Sequence, residues 1–124
     1  CEIREVVESG STLPTFQANL RAFGVEDYVV PIVASSASAA ATWTGPIRLL
    51  FIDADHSYEA SRQDFEVWSP HVVPGGLIAF HDIGHWEGVT RFYQELLETT
   101  KEFREIVGVA GLCVVERIAA APVA

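Results

Sequence analysis

The feature that most restricts the fold of this chain is a pattern that occurs twice, a short apolar run that stops abruptly at ionisable residues. Residues 49–56 read LLFIDADH, and residues 77–82 read LIAFHD. A buried strand that ends in acids sets those acids at the carboxyl edge of a sheet, which is where open α/β folds bind their ligands. We therefore expect two neighbouring strands whose terminal acids and histidines form one small polar site.

The spacing of apolar residues predicts an alternation of helices and strands. Helices are predicted over Cys1–Ser9, Leu13–Phe23, Tyr58–Val72 and Val89–Leu97, and Ser35–Thr44 is either a short helix or a loop. Strands are predicted over Tyr28–Val33, Ile47–Ile52 and Leu77–Phe80, with a final hairpin formed by Phe103–Val109 and Leu112–Ile118. The continuous apolar strand Ile47–Ile52 is typical of a sheet that is covered on both faces. The expected fold class is α/β, with a mostly parallel sheet and a C-terminal antiparallel hairpin.

The length and the charge of the chain limit its number of domains and the class of partner that it can bind. Its 124 residues suffice for one domain, and 49% apolar residues suffice for a packed core. The net charge of −9 argues against nucleic acid as a partner, because phosphate binding needs clustered Lys and Arg. No membrane-spanning apolar run or signal peptide is visible, so we expect a cytoplasmic protein without a membrane partner. Cys1 and Cys113 lack metal-type spacing and are expected to be reduced thiols.

A longer string around the two polar strand ends gives the chain a family resemblance. The string consists of residues 53–59 (DADHSYE), Asp64, Trp68, 74–76 (PGG) and 81–83 (HDI). It resembles class I S-adenosylmethionine-dependent methyltransferases, and within them the branch of macrocin-type sugar O-methyltransferases and cephalosporin-hydroxylase-like proteins. PGG alone is common in methyltransferases, whereas the whole string is fairly specific to this branch. The resemblance extends from about Thr12 to Ile118, and residues 111–115 fit the family's final strand.

The resemblance implies a divalent metal at the two strand ends. In the family, the acid that ends the fourth strand and two residues after the fifth strand bind the metal, and these positions hold Asp53, His81 and Asp82 here. The metal, usually Mg²⁺, holds the acceptor hydroxyl oxygen and lowers its pKa, while the protein orients the methyl transfer. Relatives often carry an acid at the position of His81, and an imidazole shifts the preference towards Mn²⁺, Fe²⁺ or Zn²⁺. We expect Mg²⁺ or Mn²⁺, with His81 as a ligand or as a residue behind the ligands.

The resemblance offers two candidates for the general base, Asp55 and His56. Macrocin-type relatives use the second acid of the DxD sequence, which is Asp55, and catechol-type relatives use a lysine at the position of His56. A histidine does the same work near neutral pH, but the prediction slightly favours Asp55. Alternatively, Asp55 and Ser57 are only a helix N-cap pair, and His56 is a structural hydrogen-bonding residue.

S-adenosylmethionine is the cofactor that the resemblance implies. Ser35 and Ser36 follow the segment that ends near the adenine in relatives, so they are predicted cofactor-binding residues together with Asp53. His85 and Trp86 lie in a loop between two glycines. They either shape a pocket for the acceptor or belong to a mobile surface loop.

The sequence lacks the glycine-rich loop and the ribose-binding acid that are typical of the family's cofactor site. The family's strand order is 3-2-1-4-5-7-6. The predicted strand Tyr28–Val33 is then the family's strand 3, or it pairs directly with Ile47–Ile52, or it lies elsewhere. We therefore expect one truncated domain over 1–124, a partial Rossmann-like methyltransferase fold that lacks the first two strands. An unpaired edge on Ile47–Ile52 then favours a homodimer. Because the chain begins at Cys1 and contains no Met, we expect a fragment of a longer enzyme that binds S-adenosylmethionine weakly by itself.

The predicted function is metal-assisted O-methyl transfer to a small hydroxylated molecule, such as a sugar of a natural product. One alternative is a degenerate domain that binds a metal or a partner without catalysis, which the missing glycine-rich loop favours. Another is a metal-dependent hydrolase built on the same acids and histidines, which the PGG sequence and Trp68 make the weaker hypothesis.

Overall fold

The computed structural model describes residues 11–119, which fall into two compact units, 11–33 and 34–119. The predicted helix Cys1–Ser9 and the end of the chain after residue 119 lie outside the described residues. Within residues 11–119, no helix combines the length and the apolar character needed to cross a membrane.

The first unit contains helix α1, Leu13–Ala22, which confirms the predicted helix in this region. Pro14 lies in the first turn of α1, where the N–H that proline lacks has no intrahelical partner in any case. Gly24 follows the helix with a φ of 65°, a conformation that glycine adopts without steric cost. A 3₁₀ turn, Glu26–Tyr28, completes the regular structure of this unit.

The predicted strand Tyr28–Val33 is wrong. Tyr28 ends the 3₁₀ turn, and residues 29–33 have no regular secondary structure. Pro31 has no N–H to donate to a strand ladder, and no strand among the described residues pairs with this segment. The prediction rested on β-branched and aromatic composition, which fits a pleated surface but supplies no partner.

The second unit alternates helices with strands. Helix α2 spans Ser36–Thr42, strand β1 Ile47–Ile52, helix α3 Tyr58–Trp68, strand β2 Val72–Phe80, helix α4 Glu87–Thr99, strand β3 Phe103–Val109 and strand β4 Leu112–Arg117. A 3₁₀ turn, Ser69–His71, joins α3 to β2. Ser35 caps α2 by accepting a hydrogen bond from the backbone N–H of Ser38, and Ser57 caps α3 by accepting one from Ala60.

Helix α3 is shorter than predicted, and β2 is longer. The apolar stripe predicts a helix as far as Val72, yet α3 ends at Trp68 because Pro70 cannot continue it. Val72 is instead the buried first residue of β2. The PGG sequence at 74–76 does not precede the strand but forms an irregularity inside it, with Gly75 at a φ of 81°.

The four strands form one sheet in the order β1-β2-β4-β3. β1 and β2 are parallel, whereas β4 pairs antiparallel with both β2 and β3. This order matches the 4-5-7-6 part of the strand order that the resemblance implies, so the partial fold and its hairpin are confirmed. The parallel part is limited to one pair because no strand precedes β1 in residues 11–119. The hairpin turn is Ala110-Gly111, whose φ angles of 49° and 88° fit a two-residue type I′ turn.

The core lies between the sheet and helices α3 and α4. The ring of Phe65 on α3 lies 6.3 Å from that of Phe80 on β2 and 5.6 Å from that of Phe92 on α4. The other buried members of this cluster are Ile52, Val72, Ile78, Tyr93, Leu96, Phe103 and Val115. The apolar faces of the two helices therefore anchor β1 and β2, whose ends carry the polar residues.

β1 is an edge strand, and the prediction that both of its faces are covered is wrong. Leu49 and Phe51 are 62% and 55% exposed, while Ile52, on the opposite face, is buried. The apolar run predicts burial on both faces, but α3 and α4 cover only the face of Ile52. The edge of β1 that faces away from β2 pairs with no strand in the described part of the chain, as the sequence predicts.

Candidate metal centre

The ends of two parallel strands place the polar residues side by side. β1 ends at Ile52 and β2 ends at Phe80, and these two residues are partners in the ladder. The backbone N–H of His81 donates to the carbonyl of Ile52 at 3.1 Å, which extends the pairing by one residue. Since Asp53 follows Ile52, the pairing sets Asp53 next to His81.

Asp53, His81 and Asp82 form a compact group of potential metal ligands. One side-chain atom from each residue lies within 4.8 Å of the other two. Nδ1 of His81 is 3.0 Å from Oδ2 of Asp82 and 3.4 Å from Oδ1 of Asp53. All three side chains are partly exposed, so an ion has access to them from solvent.

Asp82 reaches this group through an uncommon backbone conformation. Its φ is 62°, in the left-handed region that residues other than Gly, Asn and Asp rarely occupy. Its carbonyl accepts hydrogen bonds from the backbone N–H groups of His85 at 3.1 Å and Trp86 at 3.3 Å, and the next N–H, of Ile83, donates to Gly111 in the hairpin turn at 2.9 Å. Backbone strain that the surroundings hold in place in this way is concentrated at functional sites.

His81 and Asp82 stabilise each other's charged forms. The hydrogen bond with Asp82 raises the pKa of His81, and the negative charge of Asp53 acts in the same direction. The hydrogen bond with His81 lowers the pKa of Asp82, and the neighbouring His56 adds to this effect. A divalent cation bound here would replace the His81 proton as the positive partner of the two carboxylates.

His56 lies against the same carboxylates. Its Nε2 is 2.7 Å from Oδ2 of Asp82 and 3.9 Å from Oδ1 of Asp53. At 2.7 Å the two atoms form an ion pair when the imidazole carries a proton, and Nε2 is shielded from solvent with no other partner among the described residues. This contact places a second imidazole beside the two carboxylates of the group.

Asp55 is held at the start of α3. Its Oδ1 accepts a hydrogen bond from the backbone N–H of Ser57 at 2.7 Å. Hydrogen bonds from the backbone and the side chain of Ser57 lower the pKa of Asp55. Because a carboxylate that is stabilised in its charged form is a weaker base, these contacts fit the alternative in which Asp55 and Ser57 belong to the helix start.

A cavity of about 590 Å³ lies along β1 and is lined by two of the three predicted cofactor-binding residues. Ser36 and Asp53 line it together with Trp68, whose Nε1 donates a hydrogen bond to Oγ of Ser36 at 2.8 Å. Ser35 is not among the lining residues, and its hydroxyl bonds to Ser38 at the start of α2. The cavity therefore connects α2 with the strand end that carries Asp53.

One contact of this region was not predicted, the stacking of His56 on Trp86. The two rings lie with centroids 5.2 Å apart and 14° between their planes. The two glycines that flank the loop indicated only that Trp86 belongs near this edge of the sheet. No spacing rule links a loop residue to a side chain thirty positions earlier, so the sequence held no signal for the pair.

The donor set of Asp53, His81 and Asp82 suits a divalent metal ion. Two carboxylates and an imidazole match the preferences of Mn²⁺, Fe²⁺ and Zn²⁺, whereas Mg²⁺ favours oxygen ligands. The ligand atoms already converge, and Nε2 of His56 lies beside the same carboxylates. The residues present therefore fit a metal ion of this class.

Residues 5–83, more than half of the chain, match the family described as Methyltransferase domain. A proposed O-methyltransferase from Klebsiella pneumoniae resembles the chain with a TM-score of 0.67 at 18% identity, over 83% of this chain and 56% of that one. A proposed rRNA methylase from Clostridium thermocellum gives a TM-score of 0.64 at 16% identity, over 82% and 67%. A proposed caffeoyl-CoA O-methyltransferase from Staphylococcus aureus gives 0.66 at 16% identity, over 83% and 57%.

At these identities the structural likeness shows the fold alone. The chain spans little more than half the length of the Klebsiella and Staphylococcus proteins.

Proposed function

The chain belongs to the methyltransferase domain family, and on this basis we propose that it carries the metal-binding part of an O-methyltransferase. The proposed reaction transfers the methyl group of S-adenosylmethionine to a hydroxyl group of a small molecule. The observation that carries the proposal is the convergence of Asp53, His81 and Asp82, whose ligand atoms lie within 4.8 Å of one another at the ends of two paired strands.

Asp53, His81 and Asp82 are the residues that would hold the divalent metal. When bound, the metal supplies positive charge that lowers the pKa of the acceptor hydroxyl. The imidazole among the ligands favours Mn²⁺ over Mg²⁺. The two carboxylates favour a hard divalent cation over softer ions that prefer thiolates.

His56 is the proposed general base, in preference to Asp55. Nε2 of His56 lies within 4 Å of both carboxylates of the group, so it is within reach of a proton released beside the metal site. Asp55 instead accepts hydrogen bonds from Ser57, which make it a weaker base.

The chain is proposed to provide one wall of the S-adenosylmethionine site. Ser36 and Asp53 line the cavity along β1, on the side where the family's first strand would lie. In residues 11–119, no strand followed by a glycine-rich turn and a helix precedes β1. The described residues therefore fit the edge of a cofactor site and not a complete one.

The proposed acceptor is a small hydroxylated molecule and not RNA. The names of two structural neighbours refer to caffeoyl-CoA and to rRNA, so the fold alone does not choose between them. The net charge of −9 repels a phosphate backbone, which favours the small molecule. Trp86, 56% exposed next to His56, offers a flat apolar surface for an acceptor.

Titration calorimetry with Mn²⁺ tests the proposed metal site. Asp53→Asn and Asp82→Asn keep the size of the side chain but remove a charged ligand. Each should weaken Mn²⁺ binding by at least about tenfold, which corresponds to about 1.4 kcal/mol. Asp55→Asn is the matched control, because the amide oxygen can still accept the hydrogen bond from Ser57, and its Mn²⁺ affinity should equal that of the unchanged chain. Equal affinity in all four proteins would exclude this site.

The two alternatives predict other outcomes. Phosphatase or esterase turnover that requires Mn²⁺ and disappears in Asp53→Ala would support a metal-dependent hydrolase. Mn²⁺ binding without methyl transfer, in a longer protein that contains this chain, would support a domain that binds metal and does not catalyse.

A further inference from the structure

We propose that Trp86 is a positioning residue that holds the imidazole of His56 against the carboxylates of Asp53 and Asp82. This inference rests on the proposed role of His56 as the general base. It concerns the geometry of the imidazole and assigns no chemistry to the indole itself.

The stack between the two rings restricts the plane of the His56 imidazole. The planes of the rings differ by 14°, and their centroids are 5.2 Å apart. A ring that stacks on another aromatic surface keeps its plane close to parallel with that surface, and its nitrogen atoms lie in its plane. Nε2 therefore points sideways along the surface of the indole, where Oδ2 of Asp82 lies 2.7 Å away.

The backbone of Trp86 is held at both of its polar groups. Its N–H donates to the carbonyl of Asp82 at 3.3 Å. Its carbonyl accepts hydrogen bonds from the hydroxyl of Thr90 at 2.6 Å and from the N–H of Thr90 at 3.2 Å. The indole is thus attached to the loop of Asp82 on one side and to the first turn of α4 on the other.

The backbone of His56 is fixed by the same helix end. Its carbonyl accepts a hydrogen bond from the N–H of Val89 at 2.9 Å. Gly88 packs so closely here that a Cβ at this position would lie 2.5 Å from that carbonyl oxygen. Both stacked rings therefore extend from backbone segments that the start of α4 holds in place.

Because Trp86 is exposed, its role in positioning His56 can be tested separately from its contribution to the stability of the fold. The residue is 56% exposed and is not part of the buried cluster between the sheet and the helices. Because it lies outside that cluster, its replacement removes no side chain from the core. Replacing it should alter the orientation of the His56 ring and leave the fold intact.

Nuclear magnetic resonance of the histidine ring protons tests this directly in the 124-residue chain. The His56 ring signals should be shifted upfield by the indole and should show Overhauser contacts with it. Trp86→Ala should abolish both effects, and Trp86→Phe should retain the upfield shift because it keeps a flat ring. His85→Ala is the control within the same loop and should leave the His56 signals unchanged. Unchanged His56 signals in Trp86→Ala would overturn the proposal.

Added Mn²⁺ reports the position of the ring relative to the carboxylates. Mn²⁺ should broaden the His56 ring signals strongly in the unchanged chain and in Trp86→Phe, and clearly less in Trp86→Ala, while calorimetry gives the same Mn²⁺ affinity for all three. Equal broadening in all three proteins would contradict the positioning role. A chain that binds no Mn²⁺ would contradict the proposed function alone, because the shift and the Overhauser contacts still decide whether Trp86 holds His56.

Discussion

The backbone at Asp82 explains how two consecutive residues reach one site. Successive side chains of a strand point to opposite faces, so His81 and Asp82 would normally diverge. The φ of 62° at Asp82 breaks that alternation, and both side chains contact the group around Asp53. Aspartate and asparagine tolerate this conformation better than other residues that carry a Cβ.

Asp82→Ala should therefore destabilise the chain more than Asp82→Asn. Asparagine tolerates the left-handed conformation, whereas alanine adds a strain of about 1 kcal/mol. The difference between the two variants in the free energy of unfolding, measured with urea, should be of that order. Equal stability of the two variants would show that the backbone angle is not under strain.

At the scale of residues, the sequence predicted the meeting of Asp53 and His81 because strand adjacency decides it, whereas Asp82 joins them through a backbone angle that no sequence pattern indicated. It did not resolve the choice between Asp55 and His56. That choice depends on the hydrogen bond from Ser57 and on the contact of His56 with Asp82, which are set by side-chain rotation and loop path. The identity of the base stays a prediction, and the structure now favours the other candidate.

Helix α4 supports the candidate site through its first turn. Gly88 lies close enough that an added Cβ would be 2.5 Å from both the carbonyl oxygen of His56 and the nitrogen of Tyr58. These are backbone atoms, which cannot move away without shifting the loop that follows β1. The approach of helix and loop thus requires glycine.

Gly88→Ala should cost about 1–3 kcal/mol of stability, the usual range for forcing extra atoms into a packed contact. Gly108→Ala in β3 is the matched control, because its Cβ would meet only Sγ of Cys113 at 3.4 Å, an ordinary contact. Thermal and urea unfolding of the two variants provide the comparison. A loss of stability that is no larger in Gly88→Ala than in Gly108→Ala would contradict the close packing at α4.

Patterns with a single physical cause predicted their elements well. The apolar runs before Asp53 and before His81 correctly predicted β1 and the end of β2. The stripe of Val89, Phe92 and Leu96 correctly predicted α4. The strand at Tyr28–Val33 failed because a strand needs a partner, and the helix to Val72 failed because Pro70 ends it. The spacing of apolar residues predicts the conformation of one segment, whereas strand pairing also depends on a second segment.

At the scale of the whole molecule, one edge of β1 pairs with no strand of the described residues. The edge lies beside two exposed apolar side chains, Leu49 and Phe51, with 62% and 55% of their surface accessible. Unpaired strand edges of this kind readily pair with other chains. Pairing between two copies through this edge stays a prediction.

Sedimentation velocity tests that prediction. The unchanged chain should form a dimer at micromolar concentration, and Leu49→Lys should be monomeric because a charge beside the edge opposes pairing. Val107→Lys, on the exposed face of the other edge strand β3, is the control and should remain dimeric. A monomeric unchanged chain would rule out this homodimer.

The chain alone should bind S-adenosylmethionine weakly. The described residues line one side of the cavity along β1 and contain no strand that could close it from the other side. Titration calorimetry with the cofactor should therefore give no saturable binding at micromolar concentration. Tight binding of one cofactor per chain would contradict the view that this chain forms only one wall of the site.

The most direct test of the account is the place at which Mn²⁺ binds. With substoichiometric Mn²⁺, amide signals of Asp53, His81 and Asp82 should broaden first in a two-dimensional nitrogen–proton spectrum. The signal of Val72 should persist, because its ladder partner Ile47 lies five residues before Ile52 on β1, which places Val72 roughly 17 Å from the strand ends. Broadening that begins elsewhere, or no selective broadening at all, would contradict a metal centre at the ends of β1 and β2.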